Sequence, residues 1–354
     1  MKLSQVIDEL VEEKGLDRSV LSTIICEGML SAYTKKYPDL SLSVNYNKKT
    51  DEIEVTVDKT VVQAPADESR EISVRKARAF TENAQAGDVL PIPFVAPIGR
   101  IEIIKAKQVI AQKIRAIEYA VVYNEFKSKE GTIVHGVINK CERHGVTVKI
   151  NDTFAFLPKS LSVPTDKCIV GYSIRALLKE VLLEPRNENQ LILDRFSADF
   201  VKKLFEVEVP EIYEKLVEIK KIVRIPGYKT KLIVVSYDKN IDPVGTCVGV
   251  GGARIKAIGL GTEKIDIIAG TSSLDELIKT ALKPAEVNRV ELVDGENANV
   301  WVDDDQRSIA IGKMGQNIAL ASQLVGMQLH LIKSDVTDLF EEEEHDVNEE
   351  GFNQ

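Results

Sequence analysis

An internal repeat restricts what this chain can fold into more than any other feature. The stretch Cys247-Val248-Gly249-Val250-Gly251-Gly252-Ala253-Arg254-Ile255 and the stretch Ala310-Ile311-Gly312-Lys313-Met314-Gly315-Gln316-Asn317-Ile318 carry a GxxG in the same apolar frame, 63 positions apart. Two strand-like runs precede each copy: Ile222–Ile225 with Leu232–Val235, then Val287–Val293 with Val300–Val302. A helix and a further strand follow each, at Ile265–Ile268 and Gln328–Ile332. Helices over Glu211–Glu218 and Ser273–Leu282 are expected to open the two copies. One GxxG is a common string that a plain helix–helix turn can satisfy. Two copies in matched surroundings point to a duplicated supersecondary unit.

Helix-strand-strand-helix-GxxG-helix-strand is the order of a prokaryotic-type KH domain, here in tandem. The chemistry explains the glycines. A loop without Cβ atoms at Gly249 and Gly252, or at Gly312 and Gly315, lets a phosphodiester backbone approach its amides. The next helix begins at the loop, so its unpaired N–H groups and positive dipole end face the phosphates. The candidate RNA-binding residues are therefore Gly249, Val250, Gly251, Gly252, Arg254, Gly312, Lys313, Met314, Gly315, Gln316 and Asn317. Lys313 and Arg254 would supply charge, and Gln316 and Asn317 would bond sugar or base edges. A nucleotide-binding loop fits less well. Gly249-Val250-Gly251-Gly252 has no preceding strand at dinucleotide-fold spacing, and Gly312-Lys313-Met314 lacks the flanking residues of a P-loop.

Upstream, five short strands are expected within about 65 residues: 131–138, 145–150, 154–157, 174–183 and 191–193. That density fits a five-stranded OB barrel. His144 and Phe156 are its candidate base-stacking residues. Phe154 and Phe156 share a strand face, and one of them is expected in the core. The head begins with a helical face of Leu3, Val6, Ile7, Leu10 and Val11. A second helix, capped by Asp17, carries Val20, Leu21, Ile24, Ile25, Met29 and Ala32. Leu42–Tyr46 and Ile53–Val57 alternate as a hairpin. Pro91, Pro93 and Pro97 break the chain before a long connector helix reaching about Tyr123.

A formal charge of −9, evenly spread, would disfavour nucleic acid, but it is unevenly placed. Glu341–Glu344, Asp346, Glu349 and Glu350 put seven acids in one terminal run, leaving 48 acids against 46 bases in the body. A nearly neutral body can present a positive face, and the acidic run is expected to be a solvated, disordered tail. No apolar run approaches a membrane span. The start shows no signal-peptide core, so a cytoplasmic location is expected. Cys26, Cys141, Cys168 and Cys247 form no CxxC pair, and free thiols are expected rather than disulfides or a zinc site. His135 and His144 lie near Cys141 in sequence, and a metal site is not expected there without a second close cysteine. No paired carboxylates with a nearby histidine, GxSxG or HExxH occur, so no catalysis, cofactor or metal is expected.

Several stretches carry a resemblance to the NusA family. They are Phe205-Glu206-Val207-Glu208-Val209-Pro210-Glu211-Ile212-Tyr213, Asn240-Ile241-Asp242-Pro243-Val244-Gly245-Thr246-Cys247-Val248-Gly249, Glu263–Ile268 and Ala310–Lys313. In the head, Glu13-Lys14-Gly15, Ala86-Gly87-Asp88 and Ala106–Ile110 match as well. The chain resembles that family from about residue 3 to 333, in a short form without the C-terminal acidic repeats of some members. The resemblance implies an α+β multidomain protein. An α/β head with connector helix (1–127) would bind RNA polymerase, followed by an OB domain (128–197). Tandem KH domains (198–272 and 273–338) and the acidic tail (339–354) would complete it.

The implied function is transcription elongation control: pausing, hairpin-dependent termination and antitermination. The implied partners are RNA polymerase, nascent single-stranded RNA and other Nus factors, with no membrane and a monomeric state. Ribosome assembly or RNA turnover is the alternative use of such RNA-binding modules. A phosphorolytic exoribonuclease would place KH and OB after a large catalytic core, and only about 125 residues precede them here. Some positions depart from the family. Val250 and Gly251 stand where a basic residue is common, Met314 follows Lys313 where a second base is usual, and the connection Gly259–Thr262 is short. Fewer cations release fewer counterions, so a modest RNA affinity with a shallow salt slope is expected.

Overall fold

A computed structural model describes residues 7–9, 11–12, 17–47, 49–95, 99–186, 189–271 and 273–333. Leu3, Val6, Leu10, Glu13–Gly15, Pro97 and the acidic tail lie outside the described residues. The chain divides into two compact units, 1–124 and 125–354.

In the first unit, Asp17 caps α1 (Arg18–Lys36), accepting from the Ser19 amide at 2.7 Å. Leu21, Ile24 and Ile25 pack with Ile7 and with Ile110, Ile114 and Ile117 of α3 (Arg100–Lys127). Val20, expected on that face, is exposed. The hairpin forms as read, β1 (Leu42–Asn47) against β2 (Glu52–Val62) with Leu42 opposite Val57. Two elements were not expected: β3 (Glu71–Ser73) and a one-turn α2 (Val74–Ala77). The proline run behaves differently from a simple break. Pro91 and Pro93 lie in an edge strand, β4 (Val89–Pro93), antiparallel to β2. Proline lacks an N–H, which an edge strand tolerates and a central strand does not.

The second unit opens with a closed barrel. Its strands are β5 (Ile133–Glu142), β6 (Gly145–Ile150), β7 (Thr153–Pro158), β8 (Ser173–Arg186) and β9 (Asn189–Asp194), closing as β5-β6-β7-β9-β8. Along β7 the interior takes Ala155 and Leu157, while Phe154 and Phe156 face outward. Neither phenylalanine is therefore core, contrary to expectation; the pleat places alternate residues on opposite faces, and both share the outer one. The cysteine expectation also fails. Cys141 and Cys168 are joined, with Cα atoms 6.1 Å apart. Antiparallel pairing of β5 with β8, Val137 opposite Ser173, brings the end of one strand beside the loop leading to the other. Spacing along the chain does not reveal that closure. With its sulfur bonded, Cys141 offers no thiolate to a metal; Cys26 and Cys247 are free.

The first KH unit contains α4 (Ala198–Glu208), α5 (Pro210–Tyr213), β10 (Val217–Ile225), β11 (Lys229–Ser236), α6 (Pro243–Val248), α7 (Ala253–Ile258) and β12 (Lys264–Ala269). The second contains α8 (Leu274–Leu282), β13 (Arg289–Leu292), β14 (Asn297–Val302), α9 (Asp304–Ile311), α10 (Gln316–Val325) and β15 (Gln328–Lys333). In each sheet the middle strand pairs antiparallel with the first and parallel with the third. The helix expected over Glu211–Glu218 is displaced. Ser197 caps α4, whose Phe200, Val201, Leu204 and Phe205 are buried. Pro210 starts only one turn, which ends where Lys215 takes a left-handed φ of 63°.

Strand β11 is buried on both faces, for a reason outside its own domain. Leu232 and Val234 pack with α4 and with Cys247 and Ile258 on one side. Ile233, with Val223 and Ile268, packs on the other side against Ile278, Leu282, Leu320 and Leu324 of the second KH unit. Each such aliphatic side chain stabilises the junction by about 1.5–3 kcal/mol if fully removed from water. Lys231, fully buried, adds a polar tie: its Nζ donates to Asp266 at 2.8 Å and to the Lys283 carbonyl at 3.3 Å.

Candidate nucleic-acid interface

The two GxxG loops share one backbone conformation. The first glycines, Gly249 and Gly312, have φ of 72° in both cases with extended ψ. The third positions, Gly251 and Met314, have φ of 60° and 54°. The fourth glycines, Gly252 and Gly315, sit at φ of 75° and 74° as left-handed N-caps of α7 and α10. No side chain caps either helix start, which leaves the first-turn amides unclaimed by side chains.

The first and last glycines of each loop do different work. A Cβ on Gly249 would lie 2.8 Å from Arg254 Cγ, and one on Gly312 would lie 2.7 Å from Asn317 Cβ. These glycines are required because the loop folds back on its own helix. At Gly315 nothing lies within 4 Å, and at Gly252 only Lys256 Cε approaches, at 3.9 Å. The fourth positions are bare toward open space. Val250 is 96% exposed and Met314 88%, so neither loop is inside packed protein.

The other candidates separate by burial. Lys313 is exposed, with no ion pair among the described residues. Gln316 is half-buried. Arg254 has a different task from the expected one: its guanidinium holds Glu211 through two hydrogen bonds, 2.9 and 3.1 Å, and donates to the Thr246 carbonyl at 2.6 Å. Burial acts to raise the Glu211 carboxyl, but its own backbone amide and the Arg254 guanidinium outweigh that and keep it below its usual range. Arg254 thus ties α7 to α5 and α6. Replacing it by glutamine (Arg254→Gln) is expected to cost about 1–3 kcal/mol of stability by leaving half-buried partners unmet. The salt slope of RNA binding should be unchanged. Denaturation midpoints and isotherms at several salt concentrations check both, and a slope shallower by about one would return Arg254 to the phosphate track.

Asn317 is likewise turned inward. It is 3% exposed, and its amide donates to the Leu282 and Ala310 carbonyls at 3.1 and 3.2 Å. That bond pair locks α10 to α8 and α9, so Asn317 shapes the loop rather than reading a base edge.

Two features were not visible in the sequence reading. Lys256, one turn into α7, reaches back to the Gly251 carbonyl at 3.1 Å, so a cation flanks the loop whose middle positions lack one. Its spacing of four from Gly252 was the available signal. A groove of about 440 Å³ also runs between the KH units, with Tyr228, Lys229, Thr262 and Lys264 on one wall and Gly312, Pro284 and Asn317 on the other. The second loop therefore opens onto a surface of the first domain. Only tertiary packing creates that wall.

On the barrel, His144 is exposed at the β5–β6 turn, and Phe156 lies over the neighbouring Gly145, where an added Cβ would meet its ring at 2.7 Å. Phe154 and Phe156 share the outward face of β7, an aromatic surface of the kind on which bases stack. Barrel and first KH unit are closely joined. Arg175 donates to Glu208 at 2.7 Å and to the Ala257 and Ile258 carbonyls, both at 2.6 Å, at the C-terminus of α7.

Comparison with known proteins places these parts together. Profiles match over residues 2–120 (NusA N-terminal domain), 195–270 (NusA-like first KH domain) and 274–338 (NusA-like second KH domain). The transcription termination/antitermination protein NusA of Thermus thermophilus is 33% identical over 353 residues, covering 95% of this chain and 91% of its own. That of Bacillus subtilis is 35% identical over 337 residues, covering 93% and 90%. The solution structure of the N-terminal domain of NusA from Bacillus subtilis is 30% identical, covering 33% of this chain and 95% of that domain, with a TM-score of 0.26.

Proposed function

This chain belongs to the NusA family of transcription termination/antitermination proteins, and on that premise we propose how its parts divide the work. It is a non-enzymatic, RNA-binding transcription factor. In our reading, residues 1–127 bind RNA polymerase, while the barrel (128–197) and the KH units (198–272 and 273–338) hold nascent single-stranded RNA. Residues 339–354 carry the acidic run. Together these parts modulate pausing, intrinsic termination and, with other Nus factors, antitermination. The protein acts in the cytoplasm as a monomer, without a cofactor. Among the described residues no helix is long and apolar enough to cross a membrane.

The observation that carries the reading is the pair of GxxG loops, alike in backbone angles at their first, third and fourth positions and both open to solvent, in a two-domain body with a shared core. Phosphates on such a body would track from one set of uncapped amides to the next, past Lys256, Lys264 and Lys313. Bases would turn to the groove between the units and to the barrel's aromatic face.

The test uses the full chain with purified core polymerase on a template bearing an RNA-hairpin terminator. It is expected to co-elute with polymerase, lengthen pausing at the hairpin and raise the terminated fraction. Co-sedimentation with ribosomal subunits and no association with polymerase would replace this reading with one in ribosome assembly.

A further inference from the structure

The Cys141–Cys168 bond stands on the surface of the barrel, and both residues are exposed. They sit on the rim of a cavity of about 450 Å³, whose charged lining includes Arg143, Lys159 and Lys167 as well as Glu142 and Asp166. Its apolar floor contains Ile138, Val146, Leu157 and Ile174. Cys141 is two residues from Arg143 and three from His144, and Tyr172, 63% exposed, follows Cys168 closely.

The loop bearing Cys168 has few other anchors. Among the described residues, the backbone–backbone hydrogen bonds that involve residues 164–170 are two, from the Asp166 amide to the Val163 carbonyl at 3.1 Å and from the Tyr172 amide to the Ile169 carbonyl at 3.2 Å. The Asp166–Arg195 ion pair at 2.7 Å holds the loop's start, and the Gly171 amide, donating to the Ile138 carbonyl at 2.8 Å, holds its end. Between those points the sulfur bridge is the covalent fastening. A segment so poor in backbone bonds opens readily once its tether is removed.

We propose that Cys141 and Cys168 are a reversible redox modification site whose substrate is a low-molecular-weight disulfide, and that its oxidation fastens the 163–170 loop and preorganises the barrel's cationic cavity for RNA. For its consequence this rests on the RNA reading above; the chemistry stands apart from it. One cysteine thiolate attacks a sulfur of the small disulfide, forming a mixed disulfide and expelling one small thiolate. The other cysteine thiolate attacks the protein sulfur of that mixed bond. The Cys141–Cys168 bond forms, the mixed bond breaks and the second small thiolate leaves. The two protons lost by the cysteines end on the departing thiols, so the protein pair gives up two electrons and the small disulfide gains them. The exchange needs a small disulfide to reach the sulfurs, and Cys141 and Cys168 are both at the surface.

The other two cysteines do not compete. Burial pushes the Cys247 thiol up to about 12, and burial with the adjacent Glu27 carboxylate also raises Cys26. Both are poorer sources of thiolate than an unburied cysteine. The cost of ordering Lys167 and its neighbours falls on the oxidised protein before RNA arrives, which is how preorganisation raises affinity.

The experiment uses the full chain in glutathione buffers of graded ratio. Alkylation and peptide mass spectrometry report the bridge, amide exchange over 163–170 reports the loop, and fluorescence anisotropy reports binding of a single-stranded RNA oligonucleotide. The bridge is expected to form and open reversibly without unfolding, with Cys247 remaining unmodified. Loop exchange should quicken on reduction, and RNA affinity should fall about fivefold, the lower range of a typical coupling between sites. A double Cys141→Ser, Cys168→Ser variant should bind like the reduced protein and ignore glutathione. A bridge that does not form, does not open in the folded protein, or leaves affinity unaltered overturns the proposal. RNA binding absent in both states, with loop exchange still switching, would overturn the RNA reading while supporting the redox site itself.

Discussion

An aspartate at both Gly252 and Gly315 is expected to weaken single-stranded RNA binding by about 100-fold or more while the fold survives. Charge-assisted hydrogen bonds are worth about 1.5–3 kcal/mol each, and replacing an amide–phosphate approach by a carboxylate–phosphate encounter at two loops removes about twice that. Every 1.4 kcal/mol is about tenfold in affinity, which sets the magnitude. Survival of the fold follows from the space around the loops. Nothing lies within 4 Å of a Cβ at Gly315, and at Gly252 the neighbour is the flexible end of Lys256. Aspartate is among the residues that enter the left-handed region, at about 1–2 kcal/mol per position. The contrast is Gly249→Ala with Gly312→Ala, where the new methyls collide with Arg254 and Asn317 and stability falls first. Anisotropy with an RNA oligonucleotide and thermal melts separate the two pairs. A folded Gly252→Asp, Gly315→Asp protein with undiminished affinity would remove both loops from the RNA path.

The second large effect is on stability. Arg224 and Glu263 are a buried pair, 1% and 0% exposed, joined by two hydrogen bonds of 2.7 and 2.8 Å. Glu263 also accepts from Thr230 Oγ1 at 2.5 Å and from the Gly227 amide at 2.8 Å. Arg224 reaches the carbonyls of Arg195, Phe196 and Ser197, the segment between barrel and first KH unit. Arg224→Ala leaves a buried carboxylate without its counter-charge and three carbonyls without this donor. A loss of about 3–5 kcal/mol is expected, read as a lower denaturation midpoint of the second unit. Arg224→Met with Glu263→Leu should recover part of it, because an apolar pair removes the uncompensated charge. A single Arg224→Ala variant as stable as the parent would show that water reaches the site.

The same pair sets an acid limit. Burial acts to raise the Glu263 carboxyl, but hydrogen bonds from Arg224, Thr230 and the Gly227 amide outweigh it and hold it below its usual range. A depressed folded value means that the unfolded chain takes up the proton first. The contribution of Glu263 is therefore complete only where the unfolded carboxyl is also ionised, and it is lost as pH falls through the depressed folded value. Glu263→Gln should flatten that part of the stability profile.

Much of the architecture was legible because local chemistry and tertiary structure agreed. Asp17, the Leu42–Val57 hairpin, five barrel strands and two GxxG units announce themselves through caps, alternation and repetition. The misreadings share a different character. Pro91 and Pro93 looked like breakers because their place at a sheet edge depends on β2. The helix expected over Glu211–Glu218 lies instead at Ala198–Glu208, where Phe200, Val201, Leu204 and Phe205 are the face that buries. Arg254 and Asn317 carry the right groups for RNA, and a linear reading cannot see that Glu211 and the Leu282 carbonyl already occupy them.

By itself the sequence determined the kind of protein: two glycine-gapped loops in matched frames, a strand-rich barrel before them and an acidic run apart from a nearly neutral body. Periodicity, capping and duplication are properties of neighbours along the chain, so they can be read there. Only the tertiary structure decided that Cys141 meets Cys168, that β11 is covered on both faces and that a groove joins the second loop to the first domain. Each depends on residues distant in sequence being brought within a few ångströms by barrel closure or by the packing of α8 and α10 on the neighbouring sheet.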